Sequence, residues 1–454
     1  MKPSKRFCLI LAFVLVAVGC RKKPTIPPDV LHGTAQAADI ERVQSLISPG
    51  ADVNPGARTG LLKVAGADLK EPWQLHIIDD SLRGADGVRL ADINHDGLVD
   101  ITTGWEEGGT TRAYLHPGYD KVDRQWPAVT VGRTPSVEDA VFVDLDNDDA
   151  VDIISSCEGR TKKLFVNWAP AEANDYLDSR KWQTKPIPAS EGLMQWMFCV
   201  PMQVDGANGV DLIAGGKNNA QIGWFESPRN PRALSDFRYH SICQAGWIMS
   251  IILSDMDGDG DADIVVSDRR DNVHHLRGCR WLENPGPGTA QYEEWTNHFI
   301  GGTDKEVMFM KMADLDRDGL EDVVVAVKPS TILYIRRLDA TGLSWRQYPI
   351  DLPRTAGTGK AVAVGDIDKD GRIDIVFTCE NANAKHAAGW LSYKDDLTDT
   401  KWTHHDISGD QRGIKCDRIE LLDLDNDGDL DVLTCEEAQG AGGLGVIWYE
   451  NPCR

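Results

Sequence analysis

The chain has 454 residues, a formal net charge of −23 and a pI near 4.8. It carries no basic stripe that could release phosphate counterions, which excludes nucleic acid as the expected partner. Its length suits two or three ordinary domains, or one large repeat domain with appendages.

Residues 1–19 open with Lys2, Lys5 and Arg6, followed by an apolar run from Phe7 to Val18 that is too short to span a bilayer comfortably. This reads as a signal peptide. Its end, Ala17-Val18-Gly19-Cys20, resembles a bacterial lipobox, with Cys20 as the acylated first mature residue. The expectation is an exported lipoprotein held on the periplasmic or cell-surface side of a bacterial membrane. Residues 20–29 are basic and Pro-rich, a stiff tether. Residues 30–57 resemble one ankyrin repeat: Leu31-His32 opens it, Ile40, Val43, Leu46 and Ile47 form a helical apolar face, and Gly50 to Asn54 closes it. One such unit cannot bury its own face, so the short helical pair either packs on the main domain or is marginal.

Beyond residue 72 a nonamer recurs seven times. The fourth copy, Asp255-Met256-Asp257-Gly258-Asp259-Gly260-Asp261-Ala262-Asp263, is the fullest. The closing Asp falls at 100, 152, 211, 263, 322, 374 and 431, a period of 52 to 59 residues, which marks a repeat architecture. Carboxylates at positions 1, 3, 5 and 9 can converge on one hard cation, position 7 can add its carbonyl, and a glycine at position 6 permits the tight turn. Six copies keep Asp or Asn at all four positions: Asp92, Asn94, Asp96 and Asp100; Asp144, Asp146, Asp148 and Asp152; Asp255, Asp257, Asp259 and Asp263; Asp314, Asp316, Asp318 and Asp322; Asp366, Asp368, Asp370 and Asp374; Asp423, Asp425, Asp427 and Asp431. The third copy retains only Asp205 and Asp211, so no tight site is expected there. Position 7 varies freely among Leu98, Ala150, Asp261, Leu320, Arg372 and Asp429, as a carbonyl ligand allows. Four like charges about 5 Å apart repel by roughly 1 kcal/mol per pair even in water, so empty loops would be strained. The expected cofactor is structural Ca2+ at up to six sites. An EF-hand is excluded because position 12 from Asp255 is Val266, inside a strand pattern, where that motif needs Glu.

Each repeat also carries an alternating apolar run before the loop, an aromatic strand after it (Trp224, Trp281 and Trp448 begin three of them), and a strand of the form Trp-x-x-His-x-Ile, as at Trp73 to Ile78. Four strands in each of seven units predict an all-β, seven-bladed propeller. The loops and strands over residues 72–452 resemble the FG-GAP and VCBS repeats, the family that includes the integrin α-subunit propeller. The resemblance places strands A and B either side of the Asp loop and makes the Trp-x-x-His strand the outermost, D. The domain would then begin with a D strand and end with a C strand, so 73–78 must complete the last blade beside 445–450.

With the Asp loops on one face, the starts of the A strands and the ends of the B strands gather on the other, around the central channel. The A-strand starts hold Asp86, Glu138, Asp139, Trp196, Trp247, Lys305, Glu306, Lys360 and Asp417; the B-strand ends hold Trp105, Glu106, Glu158, Arg160, Lys217, Asp268, Arg269, Glu380 and Glu436. Such a mixture suits a hydroxyl-rich or charged ligand, and these residues form the candidate ligand-binding set. No residue stands out as catalytic: no Ser-His-Asp elbow, phosphate loop or zinc cluster is present. The favoured reading is a glycan- or protein-binding propeller at the cell envelope. The alternative is an extracellular carbohydrate-active enzyme, because similar calcium-loop propellers occur in polysaccharide lyases and aldos-2-ulose dehydratase. Arg269, Lys305 or Lys360 would then neutralise a carboxylate while Glu138 or Glu106 serves as base. Eight cysteines remain after Cys8 and Cys20; they read mainly as small buried residues, with one or two disulfides left open.

Overall fold

Strands dominate because the repeats are built from short β-branched and aromatic runs punctuated by Asp, Asn and Gly turns. The computed structural model describes residues 71–270, 275–399, 401–437 and 443–453. The expected signal peptide, lipidated Cys20, tether and helical pair lie outside the described residues.

The first strand, β1 (Gln74–Asp79), stands apart from those that follow it in the chain. Blade I comprises β2 (Ala85–Ala91), β3 (Asp100–Trp105), β4 (Thr110–Tyr114) and β5 (Ala128–Arg133). Blade II comprises β6 (Val137–Val143), β7 (Asp152–Cys157), β8 (Lys163–Trp168) and β9 (Gln183–Pro186). Blade III comprises β10 (Gln195–Met202), β11 (Asp211–Lys217), β12 (Gln221–Glu226) and β13 (Arg238–Gln244). Blade IV comprises β14 (Ile248–Ser254), β15 (Asp263–Asp268), β16 (Gly278–Glu283) and β17 (Thr296–Gly301). Blade V comprises β18 (Glu306–Ala313), β19 (Asp322–Lys328), β20 (Thr331–Arg337) and β21 (Trp345–Asp351). Blade VI comprises β22 (Thr358–Gly365), β23 (Asp374–Glu380), β24 (Ala388–Ser392) and β25 (Thr403–Asp406). Blade VII joins β26 (Cys416–Leu422), β27 (Asp431–Glu436) and β28 (Gly445–Glu450) to β1.

The fold is therefore an all-β seven-bladed propeller, closed as expected: β1 runs antiparallel to β28, with Gln74 opposite Glu450 and His76 opposite Trp448. Closure removes the unpaired sheet edge that an open ring would expose. The A strands of neighbouring blades contact one another and line the axis.

The Trp-x-x-His pattern has a physical cause. His76, His240, His298 and His405 lie directly across the strand pair from Trp448, Trp224, Trp281 and Trp390. Their rings lie against those indoles at centroid distances of 4.3, 4.8, 4.3 and 3.8 Å, stacked in three pairs and tilted for His240 on Trp224. Each Nε2 then reaches a polar group two residues beyond its Trp: Glu450 at 2.8 Å, Glu226 at 2.9 Å, Glu283 at 2.8 Å and Ser392 at 2.9 Å. Each His thus pins the outermost strand to a buried Trp. The eight cysteines of the described residues are free thiols and seven are buried, so they fill the core rather than bridge it.

Candidate functional site

At the Asp-loop face, positions 4 and 6 of every copy have positive φ: His95 and Gly97, Asn147 and Asp149, Gly206 and Asn208, Gly258 and Gly260, Arg317 and Gly319, Lys369 and Gly371, Asn426 and Gly428. These left-handed residues curl the loop so that backbone N–H groups point at the first carboxylate. Asp92 accepts from Asp96 and Gly97, Asp314 from Asp318 and Gly319, and Asp423 from Asp427 and Gly428. Asn94 Oδ1 likewise accepts from the Asp96 N–H.

The closing Asp has a distinct structural role. Asp100, Asp152, Asp211, Asp263, Asp322 and Asp431 each accept the N–H of loop position 2 and a second N–H at or just beyond the end of strand C. Asp374 accepts from Ile367. Burial, the largest cause in each case, lifts these carboxyls to between about 6 and about 8. This pin explains why Asp211 persists in the third copy after the other carboxylates have gone. There Gln203 replaces the first Asp: its Oε1 accepts from Gly206, and its Nε2 donates to the carbonyls of Ala207 and Gly209, the latter at position 7. An amide thus stands where the other loops converge their oxygens.

The intact loops offer oxygen-only donor sets. Asp144, Asp146 and Asp152 bring one oxygen each within 4.8 Å of one another, as do Asp255, Asp257 and Asp259, and Asp314, Asp316 and Asp318. Buried carboxylate oxygens without a hydrogen-bond partner remain at Asp146, Asp261 and Asp429. Such donors fit a hard cation and not a zinc-type site. In three loops an arginine already meets a carboxylate: Arg232 contacts Asp146 and Asp148, Arg336 contacts Asp316 and Asp318, and Arg372 contacts Asp370.

At the opposite face, the A-strand starts and B-strand ends of adjacent blades join in a belt of ion pairs. Lys217 lies between Glu138 and Glu158. Arg269 Nε bonds Glu306 at 2.7 Å, and Lys328 pairs with Glu380. Lys360 Nζ is 2.8 Å from Asp417, 3.4 Å from Glu437 and 3.8 Å from Glu380. Trp247 bridges blades III and IV through a backbone pairing with Lys217. Lys217, Arg269 and Arg270 surround its indole at 4.5, 4.2 and 4.4 Å from the ring centroid, and its own buried Nε1 has no partner.

The field around this belt is uneven. Burial and then neighbouring carboxylates hold Asp86 well above the usual carboxylate range. Burial also lifts Glu138, against the opposing pull of Lys217, and lifts Glu106 beside Glu437 and Glu158. On the far side burial lowers Lys328, with Arg269 and Lys360 adding to the effect. The mouth therefore has a carboxylate-rich sector at blades VII, I and II and a cation-rich sector around Trp247.

Several expected lining residues lie elsewhere. Trp105 and Trp196 are fully buried in blade cores, their indole N–H groups donating to Tyr114 Oη and the Ser190 carbonyl. Those rings alternate inward because the B and A strands are covered on both faces. Asp268 is fully buried with Arg280 at 3.1 Å and accepts the N–H groups of Gly246 and Trp247, so it supports the mouth from behind. Glu436 is buried and accepts from Ile414 and Leu444. Asp139 forms a two-bond pair with Arg89. Lys305 is exposed beside Asp304, and exposed Arg160 borders a shallow groove with Pro135, Lys163 and Glu191.

Side chains of non-neighbouring blades meet across the axis. Lys311 of blade V reaches Glu420 of blade VII at 3.3 Å, Arg418 joins Glu420 at 3.3 Å, and Phe198 of blade III meets Phe309 of blade V edge-on at 5.8 Å. The Lys311–Glu420 and Phe198–Phe309 contacts join non-neighbouring blades across the axis. The signal for them was present as charged residues inside otherwise apolar A strands.

The fold defines a class, the seven-bladed β-propeller. Residues 314–377, from the loop of blade V to the B strand of blade VI, match the FG-GAP-like repeat family. No curated protein matches the chain. Among solved structures it is similar to an Agrocybe aegerita lectin studied for recognition of non-reducing terminal N-acetylglucosamine, at 16% identity, covering 82% of this chain and 87% of that one, with a TM-score of 0.44. It is also similar to BBS1N in complex with ARL6DN, at 10% identity, 84% and 97% coverage and a TM-score of 0.47. Likeness at this level says nothing of what the chain binds.

Proposed function

We propose that this protein is an exported, calcium-loaded propeller, tethered through a lipid on Cys20, that binds an acid-bearing glycan at the channel mouth of the cell-envelope face it presents. The observation that carries the reading is the set of three cations gathered on one indole, Trp247. A carboxylated or sulfated sugar offers both the charge those groups attract and the hydroxyls that the adjoining carboxylates accept from. Calcium in the Asp loops of blades I, II, IV, V, VI and VII supplies rigidity, neutralising loop carboxylates that otherwise repel. Arg232, Arg336 and Arg372 lower the demand for it in blades II, V and VI. A thermal-shift screen of the calcium-loaded mature protein against uronate-containing, sulfated and neutral glycans tests the proposal. Stabilisation by acidic glycans supports it, and stabilisation by neutral ones alone overturns it.

A second reading is favoured by one specific observation: buried Asp86 and half-buried Glu138 are carboxyls with raised proton affinity, within the field of Lys360 and in contact with Lys217 respectively. That pairing of proton donor or acceptor with a cation suits elimination from a uronate. Consumption of the bound glycan, with new ultraviolet absorbance from an unsaturated product, would make the protein a lyase; recovery of intact glycan would leave it a binding protein.

A further inference from the structure

Beside the ion-pair belt, blade II carries a groove of about 400 Å³. Three connections build it: Pro135 before β6, the turn from Arg160 to Lys162 between β7 and β8, and Glu191 with Gly192 before β10. Strand order puts all three on the face opposite the Asp loops. Lys163 and half-buried Phe165 of β8 complete the lining. In a chain of net charge −23 this groove is basic, with Arg160, Lys162 and Lys163 against one carboxylate, Glu191. Lys163 Nζ pairs with Glu191 at 2.7 Å, while among the described residues no acceptor pairs with the side chain of Arg160 or Lys162.

The turn is fixed in place. Lys162 has φ +46°, a left-handed conformation uncommon for a residue with a Cβ. Two bonds hold it there: its N–H donates to the Glu158 carbonyl at 3.1 Å, and its carbonyl accepts from the Gly192 N–H at 2.9 Å. The second bond ties the turn to the facing wall of the groove. An unpaired guanidinium and ammonium beside an aromatic ring suit an acid-bearing sugar, which brings an oxyanion and an apolar ring face. The groove also adjoins the belt. Glu158, the partner of Lys217, precedes Arg160 by two residues, at most about 7 Å of chain, and Gln195 Nε2 donates to the Gly159 carbonyl between them at 3.4 Å. Lys217 in turn lies 4.5 Å from the Trp247 ring centroid.

We infer that this groove is a second anion subsite, in which Arg160 and Lys162 take a sulfate or carboxylate group of a sugar unit that lies against Phe165. The inference rests on the glycan reading and extends it: units of one acidic polymer occupy the mouth and the groove together. Linked subsites raise affinity for a polymer without raising it for a single sugar.

The test is lysine footprinting of the calcium-loaded full chain, by acetylation read in a mass spectrometer, with a sulfated, a uronate and a neutral hexasaccharide as probes. At roughly four times Kd an acidic probe should slow labelling of Lys162 about fivefold. Exposed Lys121, between β4 and β5 on the Asp-loop face, should label as before, and the neutral probe should protect neither. Arg160→Ala combined with Lys162→Asn, which keeps a residue tolerant of the left-handed backbone, should weaken acidic hexasaccharide binding at least about tenfold with an unchanged melting temperature. Protection of Lys162 that persists in Lys217→Ala supports the groove independently of the mouth. Thermal stabilisation by an acidic probe with Lys162 unprotected overturns this inference and leaves the mouth reading standing. Equal protection of Lys121 marks unspecific polyanion binding and overturns it, as does labelling of Lys162 that no probe changes.

Discussion

The buried pair of Arg280 and Asp268 links stability to the mouth. Both side chains are fully buried. Arg280 Nη1 also donates to Asn297 Oδ1 at 2.8 Å, and Nη2 to the Gln244 carbonyl at 3.1 Å, while Asp268 holds the N–H groups of Gly246 and Trp247. Arg280→Met keeps most of the apolar stem and removes the charge. It strands the Asp268 carboxylate in a site already raised by burial, and opening a buried pair from one side costs about 3–5 kcal/mol. Urea unfolding at saturating calcium reads the loss as a lower midpoint with an unchanged slope. Arg280→Met with Asp268→Asn should recover part of it, since no charge is then left unpaired. A single variant within about 1 kcal/mol of wild type would refute the reasoning that burial makes the pair interdependent.

Chelation should lower the unfolding midpoint markedly, because an ion at 100 times its Kd stabilises the folded state by about 2.7 kcal/mol per site; an unchanged melt after exhaustive metal removal would sink the calcium proposal. His76→Ala removes the stack on Trp448 and the bond to Glu450, and should cost about 1–2 kcal/mol in urea unfolding by loosening the closing seam. Gly445→Ala should damage that seam more, since φ is +71° and a Cβ would lie 2.0 Å from the Asp79 carbonyl oxygen; an undiminished melting temperature would contradict the assigned register. Burial lowers His404 to about 4, with smaller contributions from His386 and His405. The unfolded chain therefore binds its proton first as pH falls, so stability from this residue is present above about 6.5 and is lost progressively toward about 4. His404→Phe should flatten that limb of the melting-temperature profile, read against wild type in the same buffers.

Much of the architecture was legible because repetition makes each nonamer and each Trp-x-x-His strand a test of the others. Strand order followed from the position of the Asp loop, and the pairing of β1 with β28 followed from strand order. Which mouth residues face outward was less legible. Trp105 and Trp196 flank charged positions in sequence, but B and A strands are buried on both faces, so alternation does not separate lining from core. The contacts of Lys311 with Glu420 and of Phe198 with Phe309 join non-neighbouring blades, which no period of the sequence encodes. The closing Asp looked like a ligand alone because its second partner lies beyond strand C, 16 residues away from Asp100 in the case of His116.

The most direct measurement is the binding isotherm of an acidic glycan, taken from the thermal-shift screen, for wild type and for Lys217→Ala and Arg269→Ala, all calcium-loaded. Both substitutions should weaken binding at least about tenfold, the loss of one charge-assisted contact, while calcium-dependent melting stays unchanged. Isotherms that superimpose on wild type would contradict the placement of the ligand at the mouth around Trp247.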